Sequence, residues 1–148
     1  MSTPSTLRDS PLNTPDTDAF DGTMRPGAAA ADARVTRADG RDDWLLRQLR
    51  EGFNAIVGAD GATEQALRGL AVDGFALNVI AIASPDASSP EALVDRDGAV
   101  ARRYDLRPGN VVLLRPDAHV CARWRSVTRA QVAAALRHAL ALPEGVVR

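Results

Sequence analysis

The sequence predicts an α/β fold in which a central mixed β-sheet is flanked by helices. Three observations carry that prediction. Residues 53–58 and 75–83 read as strands around a helix over 63–70, a strand-helix-strand unit that normally joins two parallel strands. Residues 110–114 and 119–124 read as two short strands joined by Arg115-Pro116-Asp117-Ala118, an antiparallel hairpin. The chain then closes on a helix opened by Thr128 and Gln131, whose side chains satisfy each other's backbone donors as a capping box.

The elements follow in order. Residues 1–32 are rich in Ser, Thr, Pro, Asp and Gly, and their scattered Leu7, Leu12, Phe20 and Met24 match neither a helical nor a strand period. Such a segment is either disordered or an irregular strap laid across another surface, with Phe20 and Met24 as anchors. The division expected is a strap over 1–32 and a folded domain over 33–148. Asp42 or Asp43 is expected to cap a short helix with Leu45, Leu46 and Leu49 on one stripe, ended by Gly52. Phe53, Ala55 and Val57 open the sheet, and Ala59-Asp60-Gly61 turns the chain into a helix carrying Ala66, Leu67 and Leu70. Phe75 to Ala83 is almost continuously apolar, as a strand covered on both faces requires. Ser84 to Glu91 reads as a loop, Leu93-Val94 as a brief strand, Asp97-Gly98 as a turn and Ala99 to Tyr104 as a turn or two of helix. Pro108-Gly109 breaks the chain before the hairpin, and Pro116 is confined to its turn because it cannot donate to a ladder. In the last helix Val132, Leu136, Ala139 and Leu140 face the core, and Pro143 is expected to stop it. This order of elements suits the thioredoxin fold.

Composition narrows the function. The chain has 148 residues, and 27 of its 67 hydrophobic-class residues are Ala, so its single core should be shallow. No apolar run approaches the roughly 18 residues of a membrane span, and the N-terminus lacks a signal-peptide layout. A cytoplasmic location is the expectation, with no membrane partner. Residues 1–32 carry a net charge of −3, residues 33–95 −4 and residues 96–148 +6, with every cation an Arg. The basic third reads as a solvated surface or a docking face for an acidic partner. It does not read as a nucleic-acid site, since the Arg residues are spread over different elements with no aromatic platform beside them.

Candidate chemistry is sparse. Cys121 is the only thiol, which excludes an internal disulfide and any Cys-x-x-Cys pair. A thioredoxin-type site would place paired Cys where this chain has Ala59-Asp60-Gly61-Ala62. Cys121 falls within a hairpin strand, where a buried inert thiol is expected; the alternative is a stand-alone peroxidase-like thiol enzyme. Asp117 and His119 could form an acid-base pair, but Asp117 is better placed to accept backbone donors in its own turn. His138 should be exposed, and two His with one Cys give no metal spacing. A cis bond at Pro108 would be a backbone constraint, not an active site. Trp124, Tyr104 and Phe75 read as core or hairpin packing. No catalytic, cofactor-binding or metal residue is expected.

The stretch from Asp97 to Trp124, DGAVARRYDLRPGNVVLLRPDAHVCARW, resembles the C-terminal end of the flavin-dependent aromatic-ring hydroxylases, monooxygenases of the phenol hydroxylase type. The likeness lies in Arg103-Tyr104, Pro108-Gly109, Arg115-Pro116-Asp117, His119-Val120 and Arg123-Trp124. Upstream, Ser10-Pro11-Leu12 and Pro26-Gly27 followed by Asp32 resemble the strap of that domain, and Trp44-Leu45 and Gly52-Phe53 sit as it would have them. The resemblance implies a thioredoxin-like C-terminal domain. It also implies FAD and NAD(P)H, but only for a full-length relative or a partner. In those enzymes the flavin sits on a domain with a Gly-x-Gly-x-x-Gly turn, and no Gly-x-Gly occurs here. The chain therefore looks like the third domain without the first two, a fragment or the companion of a separate catalytic chain. Its expected roles are self-association or docking to a flavin-binding hydroxylase chain.

Overall fold

A computed structural model describes residues 13–21, 23–86 and 91–147, with side chains placed up to residue 140. The expected Ser10-Pro11-Leu12 likeness, Leu7 and the middle of the 84–91 loop lie outside the described residues. Among the described residues eight strands form one mixed sheet: β1 (Arg34–Thr36), β2 (Asp42–Trp44), β3 (Phe53–Gly58), β4 (Ala71–Val72), β5 (Phe75–Ala83), β6 (Leu93–Val94), β7 (Val111–Leu114) and β8 (Val120–Trp124). The helices are α1 (Gly61–Leu67), α2 (Ala99–Tyr104) and α3 (Arg129–Val147), with a 3₁₀ turn over Leu45–Gln48.

The sheet runs β2-β1-β6-β5-β3-β7-β8, with β4 paired to the start of β5. β5 is parallel to β3, with Phe53 opposite Leu77 and Gly58 opposite Ile82. β7 is antiparallel to β3, and β8 antiparallel to β7 with an irregularity between Leu113 and Leu114. The core order β5-β3-β7-β8, with α1 between β3 and β5, α2 before β7 and α3 after β8, is the thioredoxin-like arrangement expected from the element order.

Strand alternation divides the interior in two. Phe53, Ala55, Val57, Val111 and Leu113 face α1 and α3, where they meet Leu67, Val132 and Leu136. Ile56, Val112, Leu114 and Val120 face the other way, toward Val100 and Tyr104 of α2 and toward Met24, Ala28, Ala30 and Ala31. The N-terminal segment is thus laid across the sheet's second face. Its backbone also follows the outer edge of β8: Gly27 N–H donates to Val120 O at 2.6 Å, Val120 N–H to Ala28 O at 2.8 Å and Thr14 N–H to Cys121 O at 2.7 Å.

Four local readings are corrected. Asp42 and Asp43 do not cap a helix; they pair with Thr36 and Val35 in a short hairpin, and the leucines after them form only the 3₁₀ turn, with no side-chain cap. The helix expected over 63–70 starts earlier, because the Asp60 carboxylate accepts from Thr63 N–H at 3.2 Å and closes the helix N-terminus. Phe75 is not core: it is 49% exposed, held at the rim by the Asp73-Gly74 turn between β4 and β5. α3 continues through Pro143 to Val147. A proline removes one intrahelical donor, here toward Ala139, but the residues after it retain theirs.

Candidate functional site

In open α/β sheets, ligands and reactive groups sit beyond the carboxyl ends of the parallel strands, where helix N-termini converge. Here that place is the junction of β3 with α1, and its residues are occupied in holding the backbone together. Gly58 ends β3, and a Cβ on it would lie 2.0 Å from Arg107 O, so only glycine lets the 107–109 loop lie against the strand. Gly109 N–H donates to Gly58 O at 2.9 Å, and Gly58 N–H to Asn110 O at 2.9 Å. Pro108 sits in this loop in the trans form, as do all described peptide bonds, so no cis proline is present here. A shallow cleft of about 130 Å³ remains beside it, walled by Ile82, Ala83, Leu106 and Pro108.

The α1 N-terminus is closed by carboxylates. Asp60 Oδ2 accepts from Thr63 Oγ1 at 2.6 Å as well as from Thr63 N–H, and Glu64 Oε2 accepts from Asp60 N–H at 3.0 Å. At α2 the buried Asp95 carboxylate accepts from Val100 N–H at 3.1 Å and Ala101 N–H at 2.9 Å. At α3 the expected box is present, Thr128 N–H donating to Gln131 Oε1 at 2.8 Å and Gln131 N–H to Thr128 Oγ1 at 3.2 Å. A phosphate-binding helix start offers free N–H groups to an anion. α1 and α2 instead present acids there, so these residues do not fit the pyrophosphate of FAD or NAD(P)H.

Cys121 is 1% exposed in β8 and lies in the α1/α3 side of the core. Burial pushes its thiol up to about 12, so the nucleophilic thiolate is scarce at neutral pH. Asp117 lies in the β7–β8 turn as expected, while His119, expected to open the second hairpin strand, falls just before β8 and bridges Ala29 instead: Asp117 Oδ1 accepts from His119 N–H at 3.1 Å, and Arg115 Nη2 donates to Asp117 Oδ2 at 2.6 Å. His138 is exposed. Tyr104 is fully buried, donating its hydroxyl to Ala31 O at 2.5 Å, and its pKa is raised by desolvation and by Asp32. Trp124 is core. Among the described residues no cluster of His, Cys, Asp and Glu could hold a metal, and no helix is long and apolar enough to cross a membrane.

The densest polar constellation joins residues about a hundred positions apart, and local sequence patterns do not reveal it. Arg123, 5% exposed, donates through Nε and Nη2 to the Asp16 carboxylate at 3.1 and 2.8 Å. Arg125 N–H donates to Asp18 Oδ2 at 3.0 Å, its Nε to Ala19 O at 3.0 Å and its Nη1 to Asn110 Oδ1 at 3.0 Å. Arg125 Nη2 also donates to Asp105, whose Oδ2 accepts from Asp21 N–H at 2.7 Å. Burial would raise the Asp105 pKa, but the Asp21 amide and the guanidinium groups of Arg125 and Arg107 outweigh it and lower the value. The Phe20 ring lies against both cations, 4.6 Å from Arg123 Cζ and 4.1 Å from Arg125 Cζ. An aromatic platform therefore does accompany the basic third, and it comes from the strap.

No family model matches the chain, and no curated protein matches it. Solved structures do. The flavin-dependent monooxygenase PieE, in complex with FAD and substrate, aligns at 22% identity and a TM-score of 0.63 over 90% of this chain and 24% of its own. Aklavinone-11 hydroxylase, in a ternary complex with FAD and aklavinone, aligns at 22% identity and a TM-score of 0.65 over 89% of this chain and 25% of its own. The likeness is one of fold. This chain spans about a quarter of the length of those two monooxygenases. It also matches the C-terminal domain of an uncharacterized protein from Bacteroides fragilis NCTC 9343, at 16% identity and a TM-score of 0.55, covering 76% of this chain and 97% of that one.

Proposed function

We propose that this chain is a redox-inactive thioredoxin-like module of a flavin-dependent aromatic-hydroxylase system, with a structural and subunit-contact role. FAD, NAD(P)H and the aromatic substrate belong to another polypeptide or another part of a longer one, and the setting is the cytoplasm. The single observation that supports this most is the β3–α1 junction. Where the fold would carry a thiol pair, the chain has Ala59-Asp60-Gly61-Ala62 and uses Asp60 as a helix cap. The matched quarter of two FAD-containing monooxygenases supplies the flavin side of the reading. Cys121 offers no second site, because a thiol with so high a pKa and no solvent access is a poor nucleophile.

The test is purification followed by three measurements on one sample. The protein is expected to be colourless after incubation with FAD and gel filtration, inactive in reducing insulin disulfides, and protected from iodoacetamide until denaturant is added. Retained yellow colour, insulin reduction or fast alkylation of the native thiol each overturns the reading. Pull-down from the native cell is expected to bring along a flavoprotein.

A further inference from the structure

The N-terminal strap is held in two physically different ways. Residues 24–31 are held by burial, with Met24, Ala28, Ala30 and Ala31 packed on the second face of the sheet. Residues 13–21 place no apolar side chain in the core. Their contacts are charged or polar: Asp16 on Arg123, Asp18 and the Ala19 carbonyl on Arg125, the Asp21 amide on Asp105, and Phe20 against both guanidinium groups. On the receptor side, Arg123 is nearly buried, and its Nη1 makes no hydrogen bond among the described residues. Arg123 already meets the Asp16 carboxylate through two nitrogens, and leaving a guanidinium this buried without a carboxylate is costly, so whatever displaces Asp16 must be acidic.

From this we infer that Arg123 and Arg125 form a docking site for an acidic, aromatic-bearing extended segment of a partner protein, and that residues 13–21 occupy this site in cis as a displaceable clasp. The strap itself shows the ligand chemistry: two carboxylates two residues apart, then an aromatic ring two residues further on. The contacts of Arg125 with Asp18 and Phe20 lie nearer the surface and are screened by salt, whereas the Arg123–Asp16 pair, with Arg123 5% exposed, holds the clasp more firmly, so the competitor must supply its own carboxylate to Arg123 as the clasp opens. A tethered segment acts at an effective concentration near the millimolar range, so an untethered competitor gains access only when the clasp is weakened or the competitor binds more strongly. The inference rests on the docking role proposed above only for its purpose; the binding itself is measured with no hydroxylase present, so the two can fail separately.

The experiment uses a fluorescently labelled peptide of residues 13–21 and the full chain in two clasp-weakened forms, Asp16→Asn/Asp18→Asn and Phe20→Ala. The second form leaves every charge paired and so guards against misfolding of the first; circular dichroism reports the fold of both. The peptide is expected to bind the weakened chains at least ~10-fold more tightly than the wild-type chain, by relief of the tethered competitor. Binding should weaken as salt rises from about 50 to about 500 mM. It should also be lost when Arg125→Gln is added, or when the peptide carries Asn in place of both Asp residues. Folded variants that bind the peptide no better than wild type overturn the inference, as does equal binding of the Asn peptide. A concentration-dependent doubling of mass in the weakened chains, without saturable peptide binding, overturns it too and makes a second copy the occupant.

Discussion

Gly58 and Gly61 stand three residues apart at the same junction and carry opposite burdens. A methyl group at Gly58 would collide with backbone, 2.0 Å from Arg107 O and 2.6 Å from its carbonyl carbon, and backbone cannot move aside as a flexible side chain can. At Gly61, in the first turn of α1, a methyl group would meet nothing within 4 Å. Gly58→Ala is therefore expected to cost about 2–4 kcal/mol, as overpacking against a fixed wall does. Gly61→Ala should be neutral or stabilising by up to about 1 kcal/mol, because it removes freedom only from the unfolded chain. Urea denaturation of the two variants side by side checks this. Equal midpoints would mean that the 107–109 loop does not press on β3. Nothing local in the sequence separates these two glycines, since the atom that forbids a side chain at Gly58 lies 49 positions downstream.

At the scale of elements, legibility followed the range of the interaction that makes each one. The α3 cap, Thr128 with Gln131, is a contact between neighbours three apart and is visible as a sequence pattern. The same is true of α1, although its cap is Asp60 at the position read as a turn. Asp60→Ala removes the acceptor for Thr63 N–H and Oγ1 and should destabilise the chain by about 0.5–2 kcal/mol, measured as a shift in urea midpoint. Asp60→Asn should recover most of that loss, since an amide oxygen still accepts from the helix N–H; failure to recover would assign the effect to charge instead. β4, Ala71–Val72, was not expected, although its turn is written in the chain. Asp73 and Gly74 both have positive φ, 52° and 84°, the requirement of a two-residue type I′ hairpin. The 45–52 segment misled for the opposite reason. Its leucines have helical spacing, but Asp42 and Asp43 are taken by cross-strand pairing with β1, and such pairing is set by the sheet, not by local propensity.

For the molecule as a whole, the question is what covers the second face of the sheet. α2 is only six residues long, and much of the remaining cover comes from the strap. Among the described residues nine of the buried core residues are Ala, each contributing little area, so one Met with several strap alanines carries weight beyond its number. Burial of Met24 alone is worth about 1.5–3 kcal/mol relative to exposure. Removing residues 1–32 would also expose Ile56, Val112, Leu114 and Val120, strip the outer edge of β8 and leave Arg123 without Asp16. An unpaired strand edge beside fresh apolar surface is an aggregation template. A chain of residues 33–148 is therefore expected to lose its cooperative thermal transition, bind an apolar dye such as anilinonaphthalene sulfonate, and aggregate on concentration. Met24→Ala alone should lower the transition without abolishing it. If 33–148 instead melts sharply at the temperature of the full chain, the strap is an appendage to a self-sufficient domain, and its contacts with β8 contribute nothing measurable to stability.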